Sequence, residues 1–103
     1  MILKFSRKKS PVHGWGLFAD EFIPFNTIIE ECSYVKMGVV PSPLSAYRFG
    51  CQEIGNVIVL GYANLINGSL ENPNVKFKFE NDLFYIYSIK DIKVGEELFL
   101  KYL

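Results

Sequence analysis

The chain has 103 residues, half of them apolar, and its eleven basic and eleven acidic side chains cancel to a formal net charge of zero. That length fits one small domain, and the neutrality weighs against direct nucleic-acid binding, which draws on an excess of Lys and Arg. Two cysteines without a CxxC and a lone His13 cannot assemble a structural zinc site, and no apolar run approaches the roughly 20 residues that span a bilayer.

The first residues, Met1-Ile2-Leu3-Lys4-Phe5-Ser6-Arg7-Lys8-Lys9, place charge after the apolar positions and lack the apolar region of a signal peptide. We expect a soluble protein inside the cell, cytoplasmic or in the nucleus of a host, with Cys32 and Cys51 as free thiols. Ile2 to Phe5 reads as a first short strand. Gly14-Trp15-Gly16-Leu17-Phe18-Ala19 fits the GxGxxA spacing of dinucleotide-binding loops, but that loop needs a buried strand before it and a long helix after it. Here Arg7-Lys8-Lys9-Ser10-Pro11 leads in, and Pro24 follows too soon for a long helix. Two readings remain: a tight turn or bulge, or a residue between glycines whose backbone can approach a ligand closely.

Thr27 to Val35 and Val57 to Leu60 read as strands, and Ser42 to Phe49 as a short helix with Ser42 as N-cap and Pro43 in its first turn. From Gly61 to Asn74 the chain turns polar, with four asparagines, Asn64, Asn67, Asn72 and Asn74, beside an apolar run. Asn67-Gly68 alone is a strong hairpin signal, and Asn67-Gly68-Ser69 also matches a glycosylation sequon, accidental in an intracellular protein. The second turn that follows at Leu70 to Asn74, with Pro73 unable to donate to a ladder, favours a compact polar loop. Val75 to Phe79 alternates strictly, and Glu80-Asn81-Asp82 turns it back into Leu83 to Ile89. Asp91 to Leu98 contains another turn and leads to a last strand through Tyr102. In that strand the adjacent Glu96 and Glu97 face opposite sides, which suits one structural and one solvated carboxylate better than an acid/base pair. The expected fold is mostly β, built of short strands with irregular connections.

Taken in order, these pieces resemble the SET domain family of S-adenosylmethionine-dependent protein-lysine methyltransferases. Lys8 to Ala19 looks like that family's opening segment, Ile28-Ile29-Glu30-Glu31 like one of its strands, and Asn67-Gly68-Ser69 with Asn72-Pro73-Asn74 like its Asn-His-Ser and Pro-Asn motif. Gly95-Glu96-Glu97-Leu98, with Tyr102 five residues after Glu97, looks like its end. The resemblance spans nearly all of residues 1–103 as a single minimal SET domain, most similar to viral and bacterial forms without flanking regions.

It implies a β-clip architecture with a C-terminal pseudoknot, through which the last segment passes. It also implies S-adenosylmethionine held by Gly14, Trp15, Gly16, Asn67 and Gly68, with Tyr102 as the active-site tyrosine. Tyr47 and Tyr62 are implied as walls of the lysine channel, a lysine-containing protein such as a histone as substrate, and no metal. A homodimer fits the compact form. Gly68 stands where the family has His, Leu70 where many members have a zinc-binding Cys, and the chain runs one residue past Tyr102. Those departures leave a second reading open: a SET-like module that binds a peptide or S-adenosylmethionine without turnover, or a site completed by a partner chain.

Overall fold

The computed structural model describes residues 4–12, 14–36, 49–51 and 55–101. Among them nine strands form: β1 (Phe5–Lys9), β2 (Trp15–Ala19), β3 (Ile28–Lys36), β4 (Phe49–Cys51), β5 (Gly55–Leu60), β6 (Asn67–Gly68), β7 (Val75–Glu80), β8 (Leu83–Ser88) and β9 (Phe99–Leu100). One 3-10 turn, Tyr62–Leu65, joins β5 to β6. The helix expected over Ser42 to Phe49 falls on residues outside the described ones except for Phe49, which opens β4.

The hairpin of β7 and β8 follows directly from its sequence. Alternation turns Val75 inward on one strand and Phe84, Ile86 and Ser88 on the other, all fully or almost fully buried. Phe77, Phe79 and Phe84 then meet in ring contact, with Phe77 stacked on Phe84 at 5.5 Å between centroids and Tyr34 of β3 edge-on to Phe79 at 5.2 Å. Glu80 pairs with Leu83, so the loop is two residues long, and Asn81 and Asp82 both take positive φ (54° and 63°) as a type I′ turn requires. Asn26 also sits left-handed, at φ 62°, a conformation asparagine tolerates better than most residues.

β1 and β2 form a two-stranded antiparallel sheet, and the other strands form a second sheet in the order β4-β5-β3-β8-β7-β9-β6. The first strand begins where Ile2 to Phe5 was expected to end. Arg7, Lys8 and Lys9 are all exposed, so no apolar pattern marks β1, and its pairing with β2 defines it. The lead-in to Gly14 is therefore a solvated strand, and β2 departs from it as a strand with no helix following, which is incompatible with a dinucleotide loop.

β2 is tied outward to the C-terminal segment, with Leu98 N–H donating to the Leu17 carbonyl (2.7 Å) and Ala19 N–H to the Glu96 carbonyl (2.8 Å). Leu17, Ile23, Ile92, Leu98 and Leu100 bury completely in the core between the two sheets' elements.

The sequence Asn67-Gly68 is not a hairpin tip. Both residues pair in parallel with Phe99 and Leu100 of β9, and Val75 of β7 pairs with Leu100 from the other side. The last strand thus lies between two strands that residues 69–74 connect. Asn74 holds it there: its side-chain amide donates to the Glu97 carbonyl (2.9 Å) and its side-chain oxygen accepts from Phe99 N–H (2.7 Å), while the backbones of the two residues also bond. The strand expected over Leu98 to Tyr102 is hydrogen-bonded as a strand only at Phe99 and Leu100, and Tyr102 lies outside the described residues.

Candidate functional site

Two buried carboxylates organise the ground around the polar loop. The first is Glu30. The register of β3 on β8 slips between Ile28 and Glu30, a bulge that lets the consecutive Ile29 and Glu30 both turn inward. The Glu30 carboxylate then caps the 3-10 turn, accepting from Tyr62 N–H (3.0 Å) and Ala63 N–H (2.9 Å). Gly61 makes this fit, because a Cβ there would stand 2.5 Å from Cys32 Sγ and 3.2 Å from each Glu30 oxygen. Cys32 is a buried free thiol whose pKa is pushed up to about 12, first by burial and then by its hydrogen bond to Glu30. Such a thiol is inert as a nucleophile or metal ligand near neutral pH.

The second carboxylate is Glu97, buried while its neighbour Glu96 is exposed, as their opposite faces require. Its Oε1 accepts from the Ser10 hydroxyl (2.8 Å) and its Oε2 from the Asn67 side-chain amide (2.9 Å). The same Asn67 nitrogen lies 3.5 Å from the Trp15 carbonyl oxygen. Residues far apart in the chain therefore converge: Ser10 and the Gly14-Trp15-Gly16 segment from one side, Asn67 and Gly68 from another, Glu97 between them. Ser10 also closes the loop it begins, accepting from Val12 N–H on its hydroxyl and donating its own N–H to the Gly14 carbonyl.

The two glycines around Trp15 do different things. Gly14 is exposed at φ +49° with open space about it, so it serves the turn between β1 and β2. Gly16 is extended and buried, and a Cβ on it would collide with Glu97 Oε2. Trp15 between them is half-exposed, with the Arg7 guanidinium 5.0 Å above its ring. Gly68 is half-buried and engages β9 through its backbone.

Tyr62 opens the 3-10 turn next to β2, exposed, with its ring edge-on to Phe5 at 5.7 Å. Tyr47 and Tyr102 lie outside the described residues. Reading the sequence missed Ser10 and Glu30 as organising groups, and gave one of Glu96 and Glu97 a structural part without saying which or with what partner. The signal for Glu97 was present in the adjacent carboxylates, one of which a strand must turn inward. Its partners stand 87 and 30 residues away, beyond the reach of local pattern.

An asparagine amide, a backbone carbonyl and a buried carboxylate make a set of polar groups suited to a ligand that carries an ammonium. Among the described residues no group of three or more His, Cys, Asp or Glu could hold a metal ion, and no helix is long and apolar enough to cross a membrane.

The family model described as SET domain matches residues 14–103. Among solved structures, a Plasmodium falciparum protein assigned as a histone methyltransferase is 26% identical with a TM-score of 0.84, the match covering 100% of this chain and 96% of that one. A chain of ctPRC2, solved in complex with H3K27me3 and H3K27M, is 24% identical with a TM-score of 0.77, covering 100% of this chain and 15% of that one, a likeness of fold. Among curated proteins none matches by sequence.

Proposed function

Because this chain belongs to the SET domain family, we propose that it is a protein-lysine methyltransferase that moves a methyl group from S-adenosylmethionine to a lysine amine of a protein such as a histone. We read residues 1–103 as one minimal SET domain, and the course of β9 between β6 and β7 supports the family's pseudoknot. One observation carries the functional reading: Asn67 meets the Trp15 carbonyl and Glu97, which draws together the two segments that the family uses for its cofactor.

The residues present suit S-adenosylmethionine, whose amino-acid end is an ammonium carboxylate. Asn67 and the backbone of Trp15 would hold that end, and the backbone of Gly68 would meet the adenine. When bound, the cofactor supplies an electrophilic methyl group on a sulfonium.

The protein's own task is then to align a lysine amine with that methyl and to keep the amine neutral. Free lysine has a pKa of about 10.4, and a narrow aromatic channel lowers it by withdrawing water from the ammonium. Tyr62, with Tyr47, would wall that channel, and Tyr102 would orient the amine by its hydroxyl. Alignment of the reacting atoms supplies much of the rate, and the departing proton passes to water, so no dedicated base is required.

Isothermal calorimetry with S-adenosylmethionine, followed by a mass-spectrometric methyl-transfer assay on a lysate, tests this reading. The wild type is expected to bind and to methylate lysine; Asn67→Ala weakens binding measurably, and Tyr102→Phe keeps binding but loses transfer. Absence of binding heat in the wild type refutes it. Binding without transfer to any protein favours the non-catalytic module instead, a reading that rests on Gly68, which brings no side chain where the family carries His.

A further inference from the structure

Glu97 bears a role that motif reading does not assign. Its carboxylate is only 8% exposed and uses both oxygens, one for Ser10 and one for Asn67. The contact with Asn67 decides which way the asparagine amide faces. Carboxylate and carbonyl oxygens only accept, so the end of the Asn67 amide that meets Glu97 Oε2 and the Trp15 carbonyl must be its NH2. A flipped amide would set its oxygen against two other acceptors. The amide oxygen is thereby turned away from Glu97.

Gly16 belongs to the same device. Glu97 Oε2 occupies the place a Cβ on Gly16 would take, and Ser10 Cβ would stand 3.2 Å from it. The second glycine of Gly14-Trp15-Gly16 therefore admits a carboxylate of this chain itself, in addition to any ligand the backbone meets. Ser10 fixes the other carboxylate oxygen, so the carboxyl plane cannot swing free of Asn67.

We propose that Glu97 is a positioning residue for cofactor binding: it locks the Asn67 amide with its oxygen as the acceptor for the α-ammonium of S-adenosylmethionine. This rests on the methyltransferase reading above. Glu97 acts through Asn67, by fixing which end of its amide faces the ligand.

The test uses two ligands that do not turn over. S-adenosylhomocysteine carries the α-ammonium, and methylthioadenosine shares the nucleoside but lacks the whole amino-acid end. In calorimetric titrations Glu97→Leu, which keeps the bulk but offers Asn67 no acceptor, is expected to weaken S-adenosylhomocysteine roughly ten- to a hundredfold, the worth of one hydrogen bond to a charged group. Methylthioadenosine should bind it as it binds the wild type.

In an Asn67→Ala background the same change should have no further effect on S-adenosylhomocysteine, and Glu97→Leu should shift the Asn67 side-chain amide resonances. Ser10→Ala, which frees one carboxylate oxygen, provides a milder variant with a smaller loss confined to the same ligand. Equal weakening of both ligands, or losses that add in the Asn67→Ala background, would overturn the positioning role and leave Glu97 a structural residue. A wild type that binds neither ligand removes the methyltransferase reading and this one together. One that binds both, but loses them equally on substitution, removes this one alone.

Discussion

Replacing Gly16 by alanine should be costly out of proportion to one methyl group. The new Cβ would collide with Glu97 Oε2 and stand 3.0 Å from Glu97 Cδ, and the carboxylate could yield only by releasing Ser10 and Asn67. Each hydrogen bond to a charged group is worth about 1.5–3 kcal/mol, so losing both costs about 3–6 kcal/mol. Two effects reduce that figure. A carboxylate near the surface recovers some hydration, and alanine restricts the unfolded chain by about 0.4–1 kcal/mol more than glycine. A net loss of about 2–4 kcal/mol remains, a large part of the 5–15 kcal/mol that holds a typical domain together.

Gly14→Ala makes the control, since its Cβ meets open space and only the left-handed backbone at φ +49° is strained, by about 1–2 kcal/mol. Urea unfolding followed by fluorescence measures both. The decisive comparison repeats Gly16→Ala in a Glu97→Ala background, where the obstructing carboxylate is gone and the substitution should cost less than about 1 kcal/mol. If Gly16→Ala unfolds at the wild-type urea concentration, or costs as much without Glu97 as with it, the steric account is wrong.

Three other outcomes follow from the same geometry. Glu30→Ala strips acceptors from the Tyr62 and Ala63 amides and should destabilise by about 2–6 kcal/mol in urea, at about 1–3 kcal/mol for each amide left without a partner. Asp82→Gly should stabilise by about 1 kcal/mol in the same assay, because glycine removes the left-handed strain of the β7–β8 turn. Cys32 should resist iodoacetamide in the folded protein, reacting far more slowly than in the unfolded chain at every pH through 9 by peptide mass spectrometry. Its folded pKa of about 12 exceeds the ordinary 9.0, so the unfolded chain ionises first. The stability this thiol contributes is complete below pH 9 and is lost as pH rises from 9 toward 12. Unfolding midpoints of the wild type should fall more steeply over that window than those of Cys32→Ala.

What the sequence made legible divides along the range of the interactions. Val75 to Ser88 could be read almost to the residue, because alternation and a left-handed turn pair are local signals. Glu96 and Glu97 could be sorted into two faces, but not matched to Ser10 or Asn67. β1 was misplaced because three charged residues in a row carry no strand pattern, and a distant partner supplies their order.

Asn67-Gly68 shows the same limit from the opposite side. Its strong hairpin chemistry is overruled by parallel pairing with a strand about thirty residues later. The abundance of asparagine in that loop resolves into separate duties. Asn64 ties back to the Val59 carbonyl, Asn67 meets Glu97, Asn72 receives Lys90, and Asn74 clamps β9.

The place of β9 also sets a schedule for synthesis. A ribosome releases the chain from its N-terminus at about 5–20 residues per second, so Ser10, Trp15 and Asn67 emerge well before Glu97 and Phe99. Until Glu97 and Phe99 are free, β6 has no strand to pair with, Asn67 has no carboxylate against it, and β7 lacks its outer neighbour. A growing chain therefore lacks the parallel partner of β6 and the carboxylate against Asn67 until that segment arrives. That pairing is made when β9 slides between two strands that were already joined.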